Sequence, residues 1–257
     1  MTAVSFEVDG SLGWITLDNP PANSYDLSLM REFAAAVDDA LASDVRVIVV
    51  RSANPKFFSA GADVKKFLDG DVEANMEMIR TSQSAFREMA AAPQVFIAHI
   101  AGHALGGGLE LTLACDIRLA SSGEYKLGTP EVTLGLLPGN GGTQRLTRLI
   151  GQSRALELLI TGRTFGVPEA FAIGLVAAVY DPDQADARVR EYAGCLAAGP
   201  ALAIAAIKRC VREGGELALD EGLSLEAELV ETLFRSRDAS EGLHAFVEKR
   251  TPEFVGA

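Results

Sequence analysis

The alternation of apolar strands with helix-patterned segments constrains the fold of this chain more than any other feature. Almost wholly apolar runs at residues 45–50, 95–100 and 117–120 are typical of buried strands. Apolar residues recur at steps of three and four over residues 29–41 and 75–91, which predicts helices there. Because strands joined by helical crossovers pair in parallel, the pattern indicates an α/β fold with a mostly parallel sheet.

Both ends of the chain depart from this alternation. Residues 4–17 contain two apolar runs around a glycine-containing turn, which predicts a β-hairpin. Towards the C-terminus the composition changes to Ala- and Leu-rich helical stretches. These stretches are residues 200–212, 217–235 and 238–249. Since no linker separates the two parts, we predict an α/β core over residues 1–195 and a helical region over residues 196–257 within one compact unit.

Composition argues against several classes of protein. With 48% hydrophobic and 23% charged residues, the chain is expected to fold as an ordinary globular protein. Its formal net charge of -12 repels phosphate backbones, so we expect no nucleic-acid partner. The three cysteines are too scattered for a zinc site and indicate reduced core thiols. No segment reaches the roughly 18 apolar residues of a membrane span and no leader is visible, so we expect a cytoplasmic protein without a membrane partner.

Several familiar catalytic motifs fail on individual residues. The segment G-N-G-G-T-Q has Gln144 where a dinucleotide-binding loop needs its third glycine, and no P-loop is present. Ser59 lacks the first glycine of a nucleophile elbow. His99 and His103 are four residues apart, as in a helical metal pair, but they lie at a predicted strand rather than in a helix. We therefore expect two partly packed histidines and no metal site.

Two loops rich in small residues offer backbone donors instead. Residues 57–63 follow a buried strand, and their small side chains let a loop amide face a cavity. The triplet at residues 106–108 precedes an apolar helix, where free N–H groups and the helix dipole stabilise a negatively charged oxygen. Two such donors would form an oxyanion hole.

Two glutamates accompany these loops. Glu110 follows Gly107 by three residues, which places both on one side of the helix. Taken alone, Glu110 is better explained as a carboxylate that complements the dipole at a helix start. Glu131 follows Gly-Thr-Pro in a loop, and taken alone it is explained as a solvated loop carboxylate. Neither glutamate decides the function by itself.

Taken together, these motifs resemble the enoyl-CoA hydratase/isomerase, or crotonase, family. The matching segments extend over essentially the whole chain. They are residues 58–64 (FSAGADV), 102–111 (GHALGGGLEL), 130–135 (PEVTLG), 138–146 (PGNGGTQRL), 161–163, 169–170, 174–176 and 244–250 (HAFVEKR). The resemblance implies a spiral of ββα units with a helical C-terminal trimerisation region, and assembly as a homotrimer or a dimer of trimers.

The resemblance also implies roles for particular residues. The amides of Ala62 and Gly107 would form the oxyanion hole around the thioester carbonyl of an acyl-CoA. Members that hydrate carry two glutamates that activate one water, and these match Glu110 and Glu131. Members that act only as isomerases commonly lose the glutamate that matches Glu110. The predicted substrate-binding residues are Ala60, Gly61, Ala62, Asp63, Val64, Lys65, Gly106, Gly107, Phe246 and Lys249.

Three of these assignments have plain alternatives. Lys65 is expected to pair with a CoA phosphate, although a solvated helix start would explain it equally well. Phe246 and Lys249 match a tail that reaches the CoA site of a neighbouring subunit, where the ring packs and the ammonium pairs with phosphate. The alternative is a frayed amphipathic terminus.

The resemblance therefore implies an enoyl-CoA hydratase that reversibly adds water to a trans-2-enoyl-CoA and yields a 3-hydroxyacyl-CoA. No cofactor or metal is expected, because coenzyme A is part of the substrate. A Δ3,Δ2-enoyl-CoA isomerase on the same scaffold is the first alternative. The second is a non-catalytic acyl-CoA-binding or RNA-associated protein, which both retained glutamates and the net charge of -12 disfavour.

Overall fold

The computed structural model describes residues 2–257, and Met1, which the predicted core includes, lies outside the described residues. Strands β1 (Val4–Asp9) and β2 (Leu12–Leu17) pair antiparallel, which confirms the predicted hairpin. A six-stranded sheet continues from β2 through parallel neighbours. These are β3 (Val47–Ser52), β5 (Val95–Ile100), β7 (Ile117–Ser121) and β9 (Ala178–Tyr180).

A second, smaller sheet consists of three parallel strands. They are β4 (Phe57–Ser59), β6 (His103–Leu105) and β8 (Leu127–Gly128), in that spatial order. Each successive pair of strands, β3 with β4, β5 with β6 and β7 with β8, places its first strand in the large sheet and its second in the small sheet. Together with the helices that follow, this arrangement confirms the expected spiral of ββα units.

Helices follow the strand pairs and cover the sheets. In the first part of the chain these are α1 (Leu27–Ala42), α2 (Val64–Asp69), α3 (Val72–Ala91) and α4 (Gly107–Ala114). After β8 come a 3-10 helix (Pro130–Leu134), α5 (Gly142–Ile150), α6 (Gln152–Thr161), α7 (Val167–Ala172) and α8 (Ala185–Ala197). The C-terminal helices are α9 (Ala201–Glu213), α10 (Leu219–Phe234) and α11 (Arg237–Glu248), with a short 3-10 helix (Gly214–Glu216) between the first two.

The large sheet is buried on both faces, which explains its nearly continuous apolar strands. Successive residues point to opposite faces, so Ile48 and Val50 join one core cluster and Val47 and Val49 join the other. The first cluster packs against α1 and α3, where Phe33 and Phe86 meet edge to face. The second packs against α8.

The helix α9 is fixed to the core by a partly buried ionic cluster. The Lys208 ammonium pairs with Asp116 at 2.9 Å and donates to the carbonyls of Met89 and Gln94 at 2.9 and 2.7 Å. Arg212 adds a second pair with Asp116 at 2.7 Å. The C-terminal helices therefore belong to the same compact unit as the sheets. The predicted division at residues 195 and 196 falls inside α8 and stays a prediction.

The structure bears on two expectations from the sequence, which concern the burial of the cysteines and membrane-spanning helices. Cys115 is buried, Cys195 is exposed and Cys210 is partly buried, so the expectation of three core thiols is wrong for Cys195. Within residues 2–257 no single helix has the length and apolar character of a membrane span, although α8 and the helical stretch after it, bent by 99°, together pass that test of length and composition.

Candidate active site

The candidate site lies at the carboxyl ends of the three strands of the small sheet. The chain leaves β4 into residues 60–63, leaves β6 into the glycine triplet at residues 106–108, and leaves β8 into Thr129 and Glu131. Because the carboxyl ends of parallel strands meet at one edge, these three loops converge. The short strands thus bring together residues that lie far apart in sequence.

The first loop presents the amide of Ala62. Gly61 has a φ of 87°, and a β-carbon there would lie 2.7 Å from the Leu105 carbonyl oxygen and 3.3 Å from the Gly107 nitrogen. The Tyr25 amide donates to the Gly61 carbonyl at 3.0 Å, and the Asp63 amide donates to the Tyr25 carbonyl at 2.8 Å. Since successive amides of an extended segment point to opposite sides, the Ala62 N–H faces away from Tyr25.

The second loop presents the amide of Gly107 at the start of α4. Gly106, with a φ of 55°, turns the chain, and its carbonyl accepts from the amides of Leu109 and Glu110. A β-carbon on Gly107 would lie 1.5 Å from the Tyr25 hydroxyl oxygen, so only glycine fits beside this side chain. Among residues 2–257, the amides of Ala62 and Gly107 both lack a hydrogen-bond acceptor.

Two neighbouring N–H donors without acceptors are what an oxyanion requires. The two loops that carry them are in close contact, because the position of a β-carbon on Gly61, the residue before Ala62, is only 3.3 Å from the Gly107 nitrogen. The Gly107 amide also lies at the N-terminal end of α4, where the helix dipole favours negative charge. The arrangement can therefore stabilise a negatively charged oxygen. The oxyanion role of the two residues stays a prediction.

The Glu110 carboxylate is almost fully enclosed, with 1% of the residue exposed. Its Oε1 accepts hydrogen bonds from the amides of Asn140 and Gly142, both at 2.7 Å. Burial raises the pKa of Glu110 to about 7, although the Gly142 amide opposes this shift; the charge of Glu131 raises it further. Glu110 therefore lies at the N-terminus of α5, and not only at the start of its own helix.

The Glu131 carboxylate faces the glycine triplet from the 3-10 helix after β8. Its Oε1 lies 3.0 Å from the position of a β-carbon on Gly106. Its Oε2 is buried without a hydrogen-bond partner in the described part of the chain. Burial raises the pKa of Glu131. This environment is not that of a solvated loop carboxylate, so that alternative for Glu131 is wrong.

The remaining predicted residues of the first loop have mainly local contacts. Ala60 donates its amide to the Ala22 carbonyl at 2.9 Å. Asp63 caps the N-terminus of α2 by accepting from the Lys65 amide at 3.0 Å. Val64 and Lys65 are exposed on the first turn of that helix. Their predicted contacts with substrate stay predictions.

Phe246 and Lys249 lie on a different part of the molecule, at the end of α11. Phe246 is 85% exposed, and Lys249 ends the helix in the left-handed conformation with a φ of 58°. The helix packs against α10. The chain by itself thus groups these two residues with the C-terminal helices and not with the converging loops.

Sequence reasoning missed Tyr25 and the specific partners of Glu110. Tyr25 precedes α1 and shows no local pattern that links it to a site, because its side-chain partner Asn140 is 115 positions away. In the sequence, Asn140 is simply the variable residue of a Pro-Gly-x-Gly-Gly turn, and nothing local points to its partners. Both residues lie next to the two glutamates, whose charges contribute to the raised pKa of Tyr25 after the larger effect of burial.

The two histidines lie in different sheets. His99 in β5 places Nε2 at 3.2 Å from the Ser121 hydroxyl and Nδ1 at 3.4 Å from the Asp186 carboxylate. His103 in β6 accepts from the Lys126 amide at 3.0 Å. Over residues 2–257 no group of three or more His, Cys, Asp or Glu side chains is arranged to hold a metal ion. That the reaction needs no metal stays a prediction.

Comparison with known proteins gives consistent matches over the full length. A family model described as enoyl-CoA hydratase/isomerase matches residues 7–257. The chain is similar to a probable enoyl-CoA hydratase of Bacillus subtilis, with 38% identity and 100% of both chains covered. It is 35% identical to a crotonyl-CoA hydratase of Syntrophomonas wolfei, with 98% of this chain and 97% of the relative covered. A crystal structure of an enoyl-CoA hydratase from Geobacillus kaustophilus superposes with a TM-score of 0.97 at 43% identity, covering 100% of this chain and 98% of the other.

Proposed function

The chain belongs to the enoyl-CoA hydratase/isomerase family, and on that premise we propose that it reversibly hydrates trans-2-enoyl-CoA to 3-hydroxyacyl-CoA. One observation carries the proposal: within residues 2–257, two amides without acceptors, the buried Glu110 carboxylate and the half-buried Glu131 carboxylate converge at one edge of the small sheet. The relative named crotonyl-CoA hydratase supports a 2-enoyl thioester as substrate.

The thioester carbonyl would bind between the amides of Ala62 and Gly107. When water adds at C3, electron density moves from the double bond to the carbonyl oxygen, which becomes enolate-like. Both N–H groups are already held in place, Ala62 by the backbone pairing with Tyr25 and Gly107 by the start of α4. Donors that need no rearrangement stabilise this charge most effectively.

Glu110 and Glu131 would supply the acid and base for the added water. One carboxylate takes a proton from water as the water oxygen bonds to C3, and a protonated carboxyl group of the pair delivers a proton to C2 as the enolate collapses. The oxygen and both hydrogens of the water are thus accounted for, and no electrons leave the substrate. Burial raises the pKa of both groups, and the pKa of Glu110, at about 7, favours proton exchange near neutral pH.

The surface beside Glu131 would receive the apolar part of the substrate. Several large apolar side chains of the segment after Glu131 are exposed in the single chain. They are Val132, Leu134, Leu136 and Leu137. Lys65, on the exposed first turn of α2, would pair with a CoA phosphate. An exposed apolar segment next to the acid/base pair suits an acyl chain, whose preferred length stays open.

We further propose that the active form is a homotrimer or a dimer of trimers. Helix α10 contains no buried residue in the single chain, and Leu219 and Phe234 are 77% and 72% exposed. Apolar side chains exposed to this extent over a whole helix usually mark a protein interface. In such an assembly, as the family resemblance implies, Phe246 and Lys249 of one subunit would reach the CoA site of its neighbour. Light scattering at micromolar concentration tests the assembly, and a monomer would contradict it.

The reaction is tested by mixing the purified protein with crotonyl-CoA. Hydration removes the conjugated enoyl-thioester absorbance, and mass spectrometry of the product must register the gain of one water. A panel of longer 2-enoyl-CoA substrates is assayed as well, so that a preference for a longer acyl chain is not mistaken for a lack of activity. Formation of that absorbance from a 3-enoyl-CoA, without hydration of any 2-enoyl-CoA, would identify the isomerase instead. Binding of acyl-CoA without either reaction would identify a non-catalytic protein.

A further inference from the structure

Behind Glu110 lies a buried polar contact that the proposed reaction does not use. The Asn140 side chain donates from Nδ2 to the Tyr25 hydroxyl oxygen at 2.8 Å. Asn140 is 3% exposed and Tyr25 is 6% exposed, so water competes little for this hydrogen bond. The contact joins the segment before α1 to the turn that leads into α5.

Asn140 is held from three directions. Besides the contact of its side chain with Tyr25, its amide donates to Glu110 Oε1 at 2.7 Å. Its carbonyl accepts from Arg145 Nη1 at 2.8 Å. Because one residue makes all three contacts, the position of its side chain constrains the N–H group that binds Glu110.

Tyr25 is itself tied to both predicted oxyanion loops. Its backbone amide and carbonyl pair with Gly61 and Asp63 on either side of Ala62. Its hydroxyl oxygen occupies the space where a β-carbon on Gly107 would lie. The same residue therefore contacts the loops that present the two amides and the turn that binds Glu110.

Stability does not account for the asparagine at this position. The Oδ1 atom of Asn140 is buried and has no hydrogen-bond partner in the described part of the chain. Burying an acceptor without a partner is unfavourable, and a small apolar residue would avoid that cost. An unsatisfied buried group beside the reacting groups needs an explanation other than stability. The three contacts of Asn140 suggest that this residue positions its neighbours.

We infer that Tyr25, acting through the Asn140 side chain, is a positioning residue that fixes the Glu110 carboxylate relative to the amides of Ala62 and Gly107. This inference deepens the proposed function and rests on it, since Glu110 is positioned for acid/base work only if hydration is the reaction. Neither Tyr25 nor Asn140 is required to touch the substrate.

The expected sign of the effect follows from the groups around Glu110. Glu131 faces it from the 3-10 helix, Arg145 from α5, and Tyr25 from the segment before α1. The Asn140 amide stabilises the ionised carboxylate, so loosening that bond favours the protonated form. Removing the Tyr25 hydroxyl should therefore move the titration of Glu110 to higher pH.

The experiment compares Tyr25→Phe and Asn140→Ala with the wild-type protein and with Tyr125→Phe as matched control. Tyr125 is also a buried tyrosine, but its hydroxyl bonds the carbonyls of Ile100 and Ser121, away from the glutamates. Titration of Glu110 is followed by NMR of 13C-carboxyl-labelled glutamate, assigned with Glu110→Gln. Crotonyl-CoA kinetics give kcat and KM on the same samples.

In Tyr25→Phe and Asn140→Ala we expect the Glu110 titration to rise by about half to one pH unit. We expect kcat to fall on the order of tenfold or more with KM changed less than about twofold, since small displacements of a catalytic group reduce rate more than binding. Tyr125→Phe should lower the melting temperature. It should leave the titration of Glu110, kcat and KM unchanged.

The double variant Tyr25→Phe/Asn140→Ala separates an effect on the position of Glu110 from an effect on the stability of the protein. It leaves no unpaired polar group from this contact, so its melting temperature should recover relative to Tyr25→Phe, in which the Asn140 amide group has lost its acceptor, while the shifted titration persists. A wild-type titration in the double variant, or in either folded single variant, would overturn the inference. If the wild-type protein does not hydrate any substrate, the proposed function fails, yet the NMR titration still decides whether Tyr25 positions Glu110.

Discussion

The hydroxyl oxygen of Tyr25 lies 1.5 Å from the position that a β-carbon on Gly107 would occupy. The buried tyrosine therefore makes glycine necessary at this position, where the free amide begins α4. Substitutions at Gly107 can therefore test both this contact and the proposed role of the Gly107 amide in catalysis.

Gly107→Ala should destabilise the protein, because the added methyl group forces Tyr25 or α4 to move. Overpacking of this kind lowers the free energy of unfolding by about 1–3 kcal/mol. Gly194→Ala is the matched control: it also lies in a helix, but its β-carbon would have nothing within 4 Å, so it should stabilise by about 0.5–1 kcal/mol. Chemical denaturation measures both, and equal effects would contradict the close contact.

Gly107→Pro should lower kcat by about 10²- to 10³-fold, the effect expected when one oxyanion donor is lost. Proline removes the N–H group itself, but its β-carbon also overlaps the Tyr25 hydroxyl, so Gly107→Ala, which has the same overlap and keeps the N–H, is the matched control and should lose less activity. Steady-state kinetics with crotonyl-CoA provide the measurement, after circular dichroism has established that the variant folds. Full activity in a folded Gly107→Pro protein would place the thioester oxygen elsewhere.

Glu131→Gln should reduce turnover by about 10²- to 10⁴-fold and leave acyl-CoA affinity nearly unchanged, because the amide keeps the shape but cannot exchange a proton. Glu110→Gln should lose hydration while retaining any 3-enoyl to 2-enoyl isomerisation. Calorimetric binding of a saturated acyl-CoA serves as the control for an intact site. The proposed mechanism would be untenable if Glu131→Gln kept wild-type hydratase activity.

The stability of the protein should depend on pH through Glu110. Its pKa is raised from 4.5 to about 7 on folding, so the folded state binds the proton more tightly. The folded state is therefore destabilised as pH rises from about 4.5 to 7, by on the order of 3 kcal/mol in total. Glu110→Gln should gain stability relative to wild type over that interval, and Glu124→Gln, at an exposed position, is measured as the control. Urea denaturation from pH 4.5 to 8 measures the difference, and a constant offset would refute it.

Phe246→Ala should raise the KM for acyl-CoA more than it lowers kcat, because the exposed ring is proposed to complete the CoA site of a neighbouring subunit. Val247→Ala, at the next and similarly exposed position of α11, is the matched control and should leave KM unchanged. Light scattering on both variants checks that assembly is retained. An unchanged KM in an assembled Phe246→Ala protein would assign this ring no role at the site.

Long elements of the fold were predictable because their residues repeat with the period of the structure. The strand at residues 95–100 has the predicted bounds, and the helix predicted over residues 75–91 extends to Val72 because Asp71 caps it there. The small sheet was not predictable in the same way. Its strands are two or three residues long, too short for any periodicity to distinguish them from loops.

The site was predictable only where its functional residues lie close together in the sequence. The glycine triplet with Glu110 and the loop with Ala62 form local motifs, and the resemblance to a known family located both. The partners of Glu110 come from a turn 30 and 32 positions away, and Tyr25 reaches Asn140 across 115 positions. Such contacts depend on how the strand pairs are stacked, which no local pattern specifies.

The splitting of each strand pair between two sheets has a consequence for insertions and deletions. Only Ala101 and Gly102 separate β5 from β6, and a β-carbon on Gly102 would lie 2.6 Å from the Lys56 carbonyl oxygen. One extra residue in that short connection would leave β5 in register yet displace the triplet at residues 106–108 from its neighbours. We therefore expect insertions and deletions to be tolerated in the connections on the far side of the helices. The two-residue link between β5 and β6 must keep its length, because it sets the position of the glycine triplet relative to the large sheet.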